Sequence, residues 1–311
     1  MTASWLGMDV GGSKIQVRIE DQSGDLLLDQ QWPTGPWSGE TYDRKAVRMA
    51  ELITLACSLA KLTSPPVAIG IGAHGCDTPE ECAAMTALMA QRMPGSVFQV
   101  VNDAALVALC APGHHAAGLI AGTGAVAVAR TADGGWLQTG GWGWVVGDEG
   151  GASGLVRAAI GEVLLDWDRG HADDLLTQAL VKAFRVTHLL DLPSQLLRLP
   201  ASDWSRHASL IFDCLREGSP LARQVIDSAV ASLTAMILRL RQRNAHFEQV
   251  IAAGGVISHQ PLLFEQLASA LRQQDATLTL SLLQGEPVSG ALALARQVTP
   301  ASNPSLLPRG E

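Results

Sequence analysis

Two turns with the residue types that hold phosphate occur in the first half of the chain, and the first follows an acidic side chain. Asp9 ends an apolar run and stands directly before the turn Gly11, Gly12, Ser13 and Lys14. Glycine lets the backbone approach an anion closely, so successive N–H groups can converge on one phosphate. Asp9 would face the same anion and could hold Mg²⁺ through water, because magnesium keeps several of its waters. A plain hairpin turn is the structural alternative.

The second turn and a later glycine pair repeat this chemistry. Gly122, Thr123 and Gly124 follow an apolar run, and their amides and hydroxyl could donate to a second phosphate. Gly254, Gly255 and Val256 end another apolar run, where a flat backbone slot could take an adenine. A tight turn and close helix–strand packing are the respective alternatives. The chain has no GxxxxGK[ST] sequence, so these turns are not a Walker motif.

Asp103 is the candidate general base. With Asn102 it follows an apolar run and opens a short helix, a position where aspartate ordinarily caps the helix. Apolar segments flank Asp103 on both sides and would bury it. A buried carboxylate at a strand end could take the proton from an attacking hydroxyl.

The segment from Gly140 to Ser153 is the densest in unusual residues, with six glycines, two tryptophans and an acidic pair in fourteen residues. Trp142 and Trp144 are expected to line a site. Asp148 could accept hydrogen bonds from two hydroxyl groups of a sugar. Glu149, at a helix start, could equally be a surface acid favoured by the helix dipole.

The elements that must position these residues follow the same order twice. Residues 5–31 predict three strands, and helix, strand, helix and strand follow up to residue 101, which gives βββαβαβ. Three strands begin again at Ala116, followed by long helices, strands at 250–253 and 277–280, and a last helix at 288–297. The pattern predicts an α/β protein of two domains, each with a five-stranded sheet, facing across a cleft.

The composition of the chain limits the classes of protein to which it can belong. The chain has 311 residues, which favours two domains, and it is 47% hydrophobic and 17% charged with a mean hydropathy of +0.18, as in globular proteins. A net charge of −8 argues against nucleic acid as a partner. Without a long apolar run or the features of a signal peptide, no membrane span and a cytoplasmic location are expected. Five scattered cysteines fit reduced thiols and suggest no zinc site.

Taken together and in this order, the motifs resemble N-acetylglucosamine kinases of the BadF/BadG/BcrA/BcrD ATPase family, in the actin/hexokinase/Hsp70 superfamily. The resemblance runs over residues 5–297 and is most specific in the Gly-Trp-Gly…Gly-Asp-Glu-Gly block at 141–150. It implies two ribonuclease H-like (actin-like ATPase) domains with mixed sheets, at residues 1–114 and 115–298, and an irregular tail at 299–311. It also implies ATP and Mg²⁺ as cofactors, and a homodimer is one expected state.

The resemblance implies a role for each motif. Asp103 is then the catalytic base, Asp9 holds Mg²⁺ and Asp148 contacts the sugar. The implied ATP contacts are Gly11, Gly12, Ser13, Lys14, Gly122, Thr123, Gly124, Gly254, Gly255 and Val256. The implied sugar contacts besides Asp148 are Asn102, Trp142, His74, Ser38 and Gly141.

Two loops depart from the family pattern and leave the substrate open. The loop at 32–40 lacks the Asn that usually binds sugar hydroxyls, and the loop at 70–77 carries His74 and Cys76 in place of Gly-Leu-Ala-Gly. Transfer of phosphate to the 6-hydroxyl of N-acetylglucosamine is the expectation; glucosamine, N-acetylmuramate and N-acetylmannosamine are alternative acceptors. Another alternative is an ATPase activator of a CoA-ester dehydratase or reductase, although Cys76 and Cys82 do not match its [4Fe–4S] ligands. A non-catalytic sugar sensor is a further one.

Overall fold

The structure, a computed structural model, describes residues 3–37, 39–111 and 115–299. Its strands and helices follow in chain order: β1 (Ser4–Val10), β2 (Lys14–Asp21), β3 (Leu26–Pro33), α1 (Tyr42–Leu59), β4 (Ala68–Ala73), α2 (Pro79–Arg92), β5 (Val97–Val101), α3 (Asp103–Leu109), β6 (Ala116–Ala121), β7 (Ala125–Arg130), β8 (Trp136–Gly140), α4 (Ala152–Asp168), α5 (Leu175–Phe184), α6 (Leu192–Arg198), α7 (Ala201–Ser205), α8 (Ala208–Arg216), α9 (Pro220–Gln242), β9 (Gln249–Ala253), α10 (Gly255–His259), α11 (Pro261–Gln274), β10 (Thr279–Leu282) and α12 (Val288–Gln297).

Contacts divide the chain into two units. The first comprises Met1–Gly118 and Leu283–Glu311, and the second comprises Leu119–Leu282. This division differs from the boundaries expected from the sequence, because α12 belongs to the first unit and not to the second. Of the expected irregular tail at 299–311, all but Thr299 lies outside the described residues.

The first unit is built on a mixed sheet of order β3-β2-β1-β4-β5. Strand β1 is antiparallel to β2 and parallel to β4, which is in turn parallel to β5. Residues in β1 and β4 are almost all buried, as their unbroken apolar runs require. On one face, Met49 and Ile53 of α1 pack with Met85 and Met89 of α2 in the core.

Helix α12 packs on β1 and β4 at two paired glycines. Gly7 of β1 lies opposite Gly70 of β4 in the sheet. A Cβ on Gly70 would stand 2.2 Å from the carbonyl oxygen of Ala291, and one on Gly7 would stand 2.7 Å from the amide nitrogen of Leu292. The backbone of the last helix therefore rests directly on the first sheet, which is why it joins the first unit.

The sheet of the second unit has the order β10-β9-β6-β7-β8. Written in the opposite direction, as β8-β7-β6-β9-β10, it repeats the order of the first sheet. Its three leading strands, β6 to β8, correspond to β1 to β3, so the predicted double βββαβαβ arrangement is confirmed. The predicted long helices after β8 are interrupted in several places. Residues 201–216 form two helices, α7 and α8, and a short 3₁₀ turn, Leu189–Asp191, precedes α6.

Helix α9 is the one element among the described residues that is long and apolar enough to cross a bilayer. In the structure it is a core helix of the second unit: its apolar face, from Leu221 to Leu240, is buried, and it packs against α4, α8 and α11. Its hydropathy is therefore explained by burial inside the protein.

Candidate active site

The turn between β1 and β2 is held from one side and open on the other. Gly11 donates its N–H to the Lys14 carbonyl at 3.0 Å. Buried Thr34 fixes the turn through its hydroxyl, which donates to the Gly11 carbonyl at 2.8 Å, and through its N–H, which donates to the Ser13 carbonyl. Gly12 and Ser13 are exposed, and a Cβ on Gly12 would meet nothing within 4 Å. The outer side of the turn is therefore open to an approaching anion.

Asp9 lies beneath this turn with its carboxylate buried and uncompensated. The residue is 6% exposed, and no donor among the described residues makes a hydrogen bond to its side chain. Burial raises its pKa to about 7, and the negative charge of Asp103 adds to the rise, while Lys14 opposes it. A cation beside Asp9 would stabilise the charged form.

Lys14 is bound to a residue that sequence reasoning missed. Its ammonium lies 2.9 Å from Oε1 of Glu286, in the loop that precedes α12. The same carboxylate accepts hydrogen bonds from Gln16 and from Gln31, the latter at 3.1 Å. The Gln16 bond is the largest cause of a lowered pKa at Glu286, and the bond and charge of Lys14 and the charge of Arg18 add to it. No motif surrounds Glu286, and only the packing of α12 on the first sheet brings it here.

Asn102, and not Asp103, caps helix α3. The Oδ1 atom of Asn102 accepts from the Ala104 N–H at 2.9 Å, and its amide donates to Oδ1 of Asp77 at 2.9 Å. The Asp103 carboxylate accepts a bond from the same Ala104 N–H at 3.0 Å. Burial raises the pKa of Asp103, and the nearby His74 opposes that rise. Because Asn102 does the capping, Asp103 is available as a base at the end of β5.

The loop after β4 joins this region to the loop after β3. His74 donates its N–H to the Val10 carbonyl at 2.9 Å, and its own carbonyl accepts from the Trp37 indole at 2.8 Å. The His74 side chain is exposed, whereas Trp37 is buried. Ser38, also predicted to contact the substrate, lies outside the described residues.

In the second unit, the turn Gly122–Gly124 is supported from below by Asp148. Its Oδ1 atom accepts from the Ala125 N–H at 3.2 Å, and Oδ2 accepts from the Ser153 hydroxyl at 3.4 Å. A Cβ on Gly124 would lie 2.7 Å from that Oδ1 atom, so glycine is required there. Burial raises the pKa of Asp148, opposed by these bonds. The structure therefore gives Asp148 a turn-supporting position, and its predicted contact with sugar stays a prediction.

The other predicted residues of this loop differ in their surroundings. Trp142 is exposed, with 64% of its surface accessible. Trp144 packs edge-on against buried Trp204, with ring centres 5.4 Å apart. Gly141 donates its N–H to the Ala125 carbonyl, and Glu149 pairs with Arg157 at the surface. Of these predicted residues, Trp142 offers a free apolar surface, which its exposed neighbours Val145 and Val146 extend.

A pocket of about 450 Å³ adjoins the second turn. The predicted ATP residues Gly122, Thr123, Gly255 and Val256 line it together. Gly254 has φ +106° and packs its backbone against Ala121 and Gly122, which places the two glycine segments side by side. The remaining lining comes from α4, the α7–α8 region and the segment around α10: Ala152, Ser202, Ser205, Arg206, Ala208, Ser209, Phe212, His259 and Gln260.

Comparison with known proteins identifies the family of the chain. Residues 6–295 match the BadF/BadG/BcrA/BcrD ATPase family, and the chain belongs to it. It is 23% identical over 300 residues to an N-acetylmuramic acid/N-acetylglucosamine kinase of Clostridium acetobutylicum, covering 94% of this chain and 97% of that one. It is 21% identical over 309 residues to an N-acetyl-D-glucosamine kinase of Dictyostelium discoideum, with the same coverage.

The fold is shared with solved structures. One from Chromobacterium violaceum, provisionally described as an N-acetylglucosamine kinase, superimposes with a TM-score of 0.70 at 22% identity, covering 94% of this chain and 99% of that chain. The predicted two-domain α/β fold class is thereby confirmed.

Proposed function

We propose that the protein is an ATP-dependent sugar kinase that transfers the γ-phosphate to the 6-hydroxyl of an amino sugar, with N-acetylglucosamine as the first candidate. The observation that carries the proposal is that half-buried Asp103, which does not cap its helix, lies in the same unit as Asp9 and the first glycine turn. Membership of an ATPase family and two relatives with amino-sugar kinase names support it.

Asp103 acts as the base in this proposal. Its carboxylate takes the proton from the sugar hydroxyl as the phosphoryl group transfers, and such a base contributes about 10²–10⁴-fold to the rate. The Ala104 N–H orients the carboxylate, and Asn102 is assigned to hold the helix end and the neighbouring loop. His74 keeps Asp103 closer to its charged form.

The glycine turns are assigned to ATP. The amides of residues 11–14 and 122–124 would bind phosphate oxygens, and the pocket beside Val256 would hold the nucleoside. Positioning and charge stabilisation account for most of phosphoryl-transfer catalysis, so rigid turns are what the reaction needs. Thr34 and Asp148 provide that rigidity in the two units.

Asp9 fits a magnesium ion. Among the described residues no group of three or more acidic, histidine or cysteine side chains forms a metal cage. Magnesium keeps several of its waters and binds phosphate oxygens, so it needs no such cage, and the uncompensated Asp9 carboxylate would hold it through water. When bound, Mg²⁺ would neutralise the phosphate charge that develops during transfer.

The activator alternative finds no support in the cysteines. Burial raises the pKa of Cys76 to about 12 and that of Cys82 to about 11, and the Cys82 thiol donates to the Cys76 carbonyl at 3.5 Å. A homodimer and a cytoplasmic location stay predictions.

The test is ADP release with Mg-ATP and a panel of N-acetylglucosamine, glucosamine, N-acetylmannosamine and N-acetylmuramic acid. We expect turnover that depends on an amino sugar and phosphate at its 6-hydroxyl by NMR. ADP release that is equal with and without every sugar would contradict the proposal. Asp227→Asn, an exposed change in α9, serves as the control variant.

A further inference from the structure

Most polar groups that line the pocket beside the second glycine turn can recognise either kind of hydrogen-bonding partner. All of the lining residues belong to the second unit. The hydroxyls of Ser202, Ser205 and Ser209 can each donate or accept a hydrogen bond. The amide of Gln260 presents its oxygen or its NH₂ group according to how it is turned. Groups of this kind accommodate a donor and an acceptor alike, so they do not distinguish one purine from another.

His259 differs from these groups because the fold fixes which of its nitrogens is protonated. Its Nδ1 atom lies 2.8 Å from the carbonyl oxygen of Gly255, the first residue of α10. A carbonyl oxygen only accepts, so Nδ1 carries the proton in this contact. The neutral imidazole then has no proton on Nε2, which makes that atom an acceptor. The side chain is exposed, and within the described part of the chain Nε2 has no hydrogen-bond partner.

His259 lies one helical turn beyond the glycine segment that is assigned to ATP. The backbone of Gly254 packs against Gly122, so the start of α10 adjoins the second phosphate turn. Four residues of helix advance about 6 Å along the helix axis. A nucleotide whose phosphates lie at the turn would therefore extend its nucleoside along α10 toward His259, which lines the same pocket.

Purines carry opposite hydrogen-bonding groups at carbon 6. Adenine has an amino group there, which donates, whereas guanine and hypoxanthine have an oxygen, which accepts. An acceptor at Nε2 of His259 matches the amino group and sets a lone pair against the oxygen. For Nε2 to donate instead, the neutral ring would have to move its proton from Nδ1 and lose the bond to Gly255. That bond therefore gives the pocket a preference between purines.

Arg206 is the other lining group whose hydrogen-bonding sense is fixed, since a guanidinium only donates. Phosphate oxygens and the purine N7 atom are acceptors in every purine nucleotide, so a donor at Arg206 adds affinity for all of them. Arg206 is exposed and lies in the segment between α7 and α8. The discrimination at carbon 6 is therefore assigned to His259, and Arg206 becomes a comparison in the test.

We propose that His259 selects an adenine nucleotide as the phosphate donor, by accepting a hydrogen bond at Nε2 from the 6-amino group of adenine. The proposal rests on the kinase function proposed above and deepens it at the donor site. It names the side chain that distinguishes ATP from a 6-oxo purine nucleotide.

The first experiment measures the binding of ADP and of inosine diphosphate by calorimetry, without any sugar. Inosine diphosphate carries an oxygen in place of the 6-amino group and a hydrogen on the adjacent N1. We expect the unmodified protein to bind ADP about tenfold or more tightly, because the 6-oxo base would leave Nε2 without a donor. This comparison needs no variant.

His259→Gln then tests which side chain is responsible. Glutamine reaches a similar position and can turn either its oxygen or its NH₂ group toward the base, so this variant should bind ADP and inosine diphosphate within about twofold of each other. His246→Gln changes an exposed histidine that does not line the pocket, and it is the matched control that should keep the preference.

Steady-state kinetics shows whether the preference acts in the reaction and at the base. The ratio of the KM for inosine triphosphate to the KM for ATP should fall toward one in His259→Gln. The ratio for 2′-deoxy-ATP against ATP should not change, because the ribose is not the partner of Nε2. Arg206→Met should raise the KM values for ATP and inosine triphosphate by the same factor.

The outcomes separate this proposal from the kinase function. Equal affinities of the unmodified protein for the two diphosphates, or an unchanged preference in His259→Gln, would overturn the assignment of His259. Equal losses for both diphosphates in His259→Gln would leave His259 with a structural role in α10, and a loss of the preference in Arg206→Met would move it to that residue. Failure of every nucleotide to bind would instead reject the kinase proposal itself.

Discussion

The two units have the same strand order and use their acidic side chains in opposite ways. In the first unit, Asp9 receives no hydrogen bond from the described residues and Asp103 receives one. In the second unit, both oxygens of Asp148 are bonded, to the Ala125 N–H and to Ser153. Burial raises the pKa in all three cases, and hydrogen bonds from the protein oppose that rise for Asp103 and Asp148 but not for Asp9.

This difference in hydrogen bonding distinguishes carboxylates that are suited to a reaction from carboxylates that stabilise the backbone. A buried carboxylate without donors is costly unless a ligand, a metal or a proton completes it, so such groups concentrate at functional sites. A carboxylate whose oxygens are satisfied by the protein stabilises a local backbone shape instead. The first unit thus provides ionisable groups, and the second provides a rigid glycine turn.

The largest effect is expected for Asp103→Asn. Asparagine keeps the oxygen that accepts from Ala104, so the fold and the KM for ATP should change little, whereas kcat should fall by at least about 10²-fold. In the unmodified protein, the raised pKa of Asp103 should place the acid limb of kcat/KM above the usual range of aspartate. Steady-state kinetics over pH measures both effects, with Asp227→Asn as control, and retained kcat would remove Asp103 from the reaction.

Asp9→Asn should have the next largest effect, on stability. The folded pKa of Asp9 is about 7 and its ordinary value is 3.8, so the folded state holds this proton more tightly than the unfolded state. Without metal, stability should therefore fall as pH rises from about 4 to about 7, by at most about 4 kcal/mol.

Asp9→Asn removes this loss, so in EDTA at pH 8 it should unfold at higher urea than the unmodified protein, and at pH 4 the two should be alike. Mg²⁺ should raise the stability of the unmodified protein at pH 8 and leave Asp9→Asn unchanged. Equal responses of both proteins to Mg²⁺ would show that Asp9 does not hold the metal.

Asp148 offers the matching test in the second unit. Asp148→Ala removes both bonds and leaves alanine at φ +64°, so the free energy of unfolding should fall by about 1–3 kcal/mol. Asn tolerates this backbone conformation and can still accept from Ala125, so Asp148→Asn should lose less than Asp148→Ala.

Urea unfolding separates the two Asp148 variants, and the KM for sugar in Asp148→Asn then decides the second role. A raised sugar KM at unchanged stability would confirm the predicted sugar contact. An unchanged sugar KM would leave Asp148 as a support of the glycine turn alone.

Local patterns predict most of this fold because strands and helices here follow apolar periodicity. The apolar runs ending at Asp9, Val101 and Ala121 become β1, β5 and β6, and the motifs at their ends stand where the topology requires. The burial of Lys45 could also have been predicted from the sequence. Lys45 lies four residues before Met49 and eight before Ile53, on the buried face of α1.

Long-range packing is what the sequence could not predict. Glycine is required at position 70 of the strand Ala68–Ala73 because α12 packs against it. That helix begins more than two hundred residues later. The role of Glu286 depends on that same packing, and no local signal marks it. Asn102 and Asp103 are adjacent, and either residue type can cap a helix. Side-chain geometry in the folded protein makes Asn102 the cap, and the sequence alone could not predict this.

The smallest effect is expected for Glu286→Gln, and it tests whether the ionisable groups of the first unit act as one set. Glutamine can still accept from Gln16 and Gln31, but it loses the ion pair that holds the Lys14 ammonium beside the turn. Lys14 and Glu286 are partly exposed, so stability should change by less than about 1 kcal/mol and the KM for ATP should rise about two- to fivefold. Asp29→Asn, at a residue that is bonded to Gln16 and Arg18 and makes no direct bond to Lys14, is the matched control. A fall in kcat as large as that of Asp103→Asn would mean that Glu286 itself contacts the reacting groups. Glu286 would then belong with the ionisable residues of the reaction and not with the supporting residues.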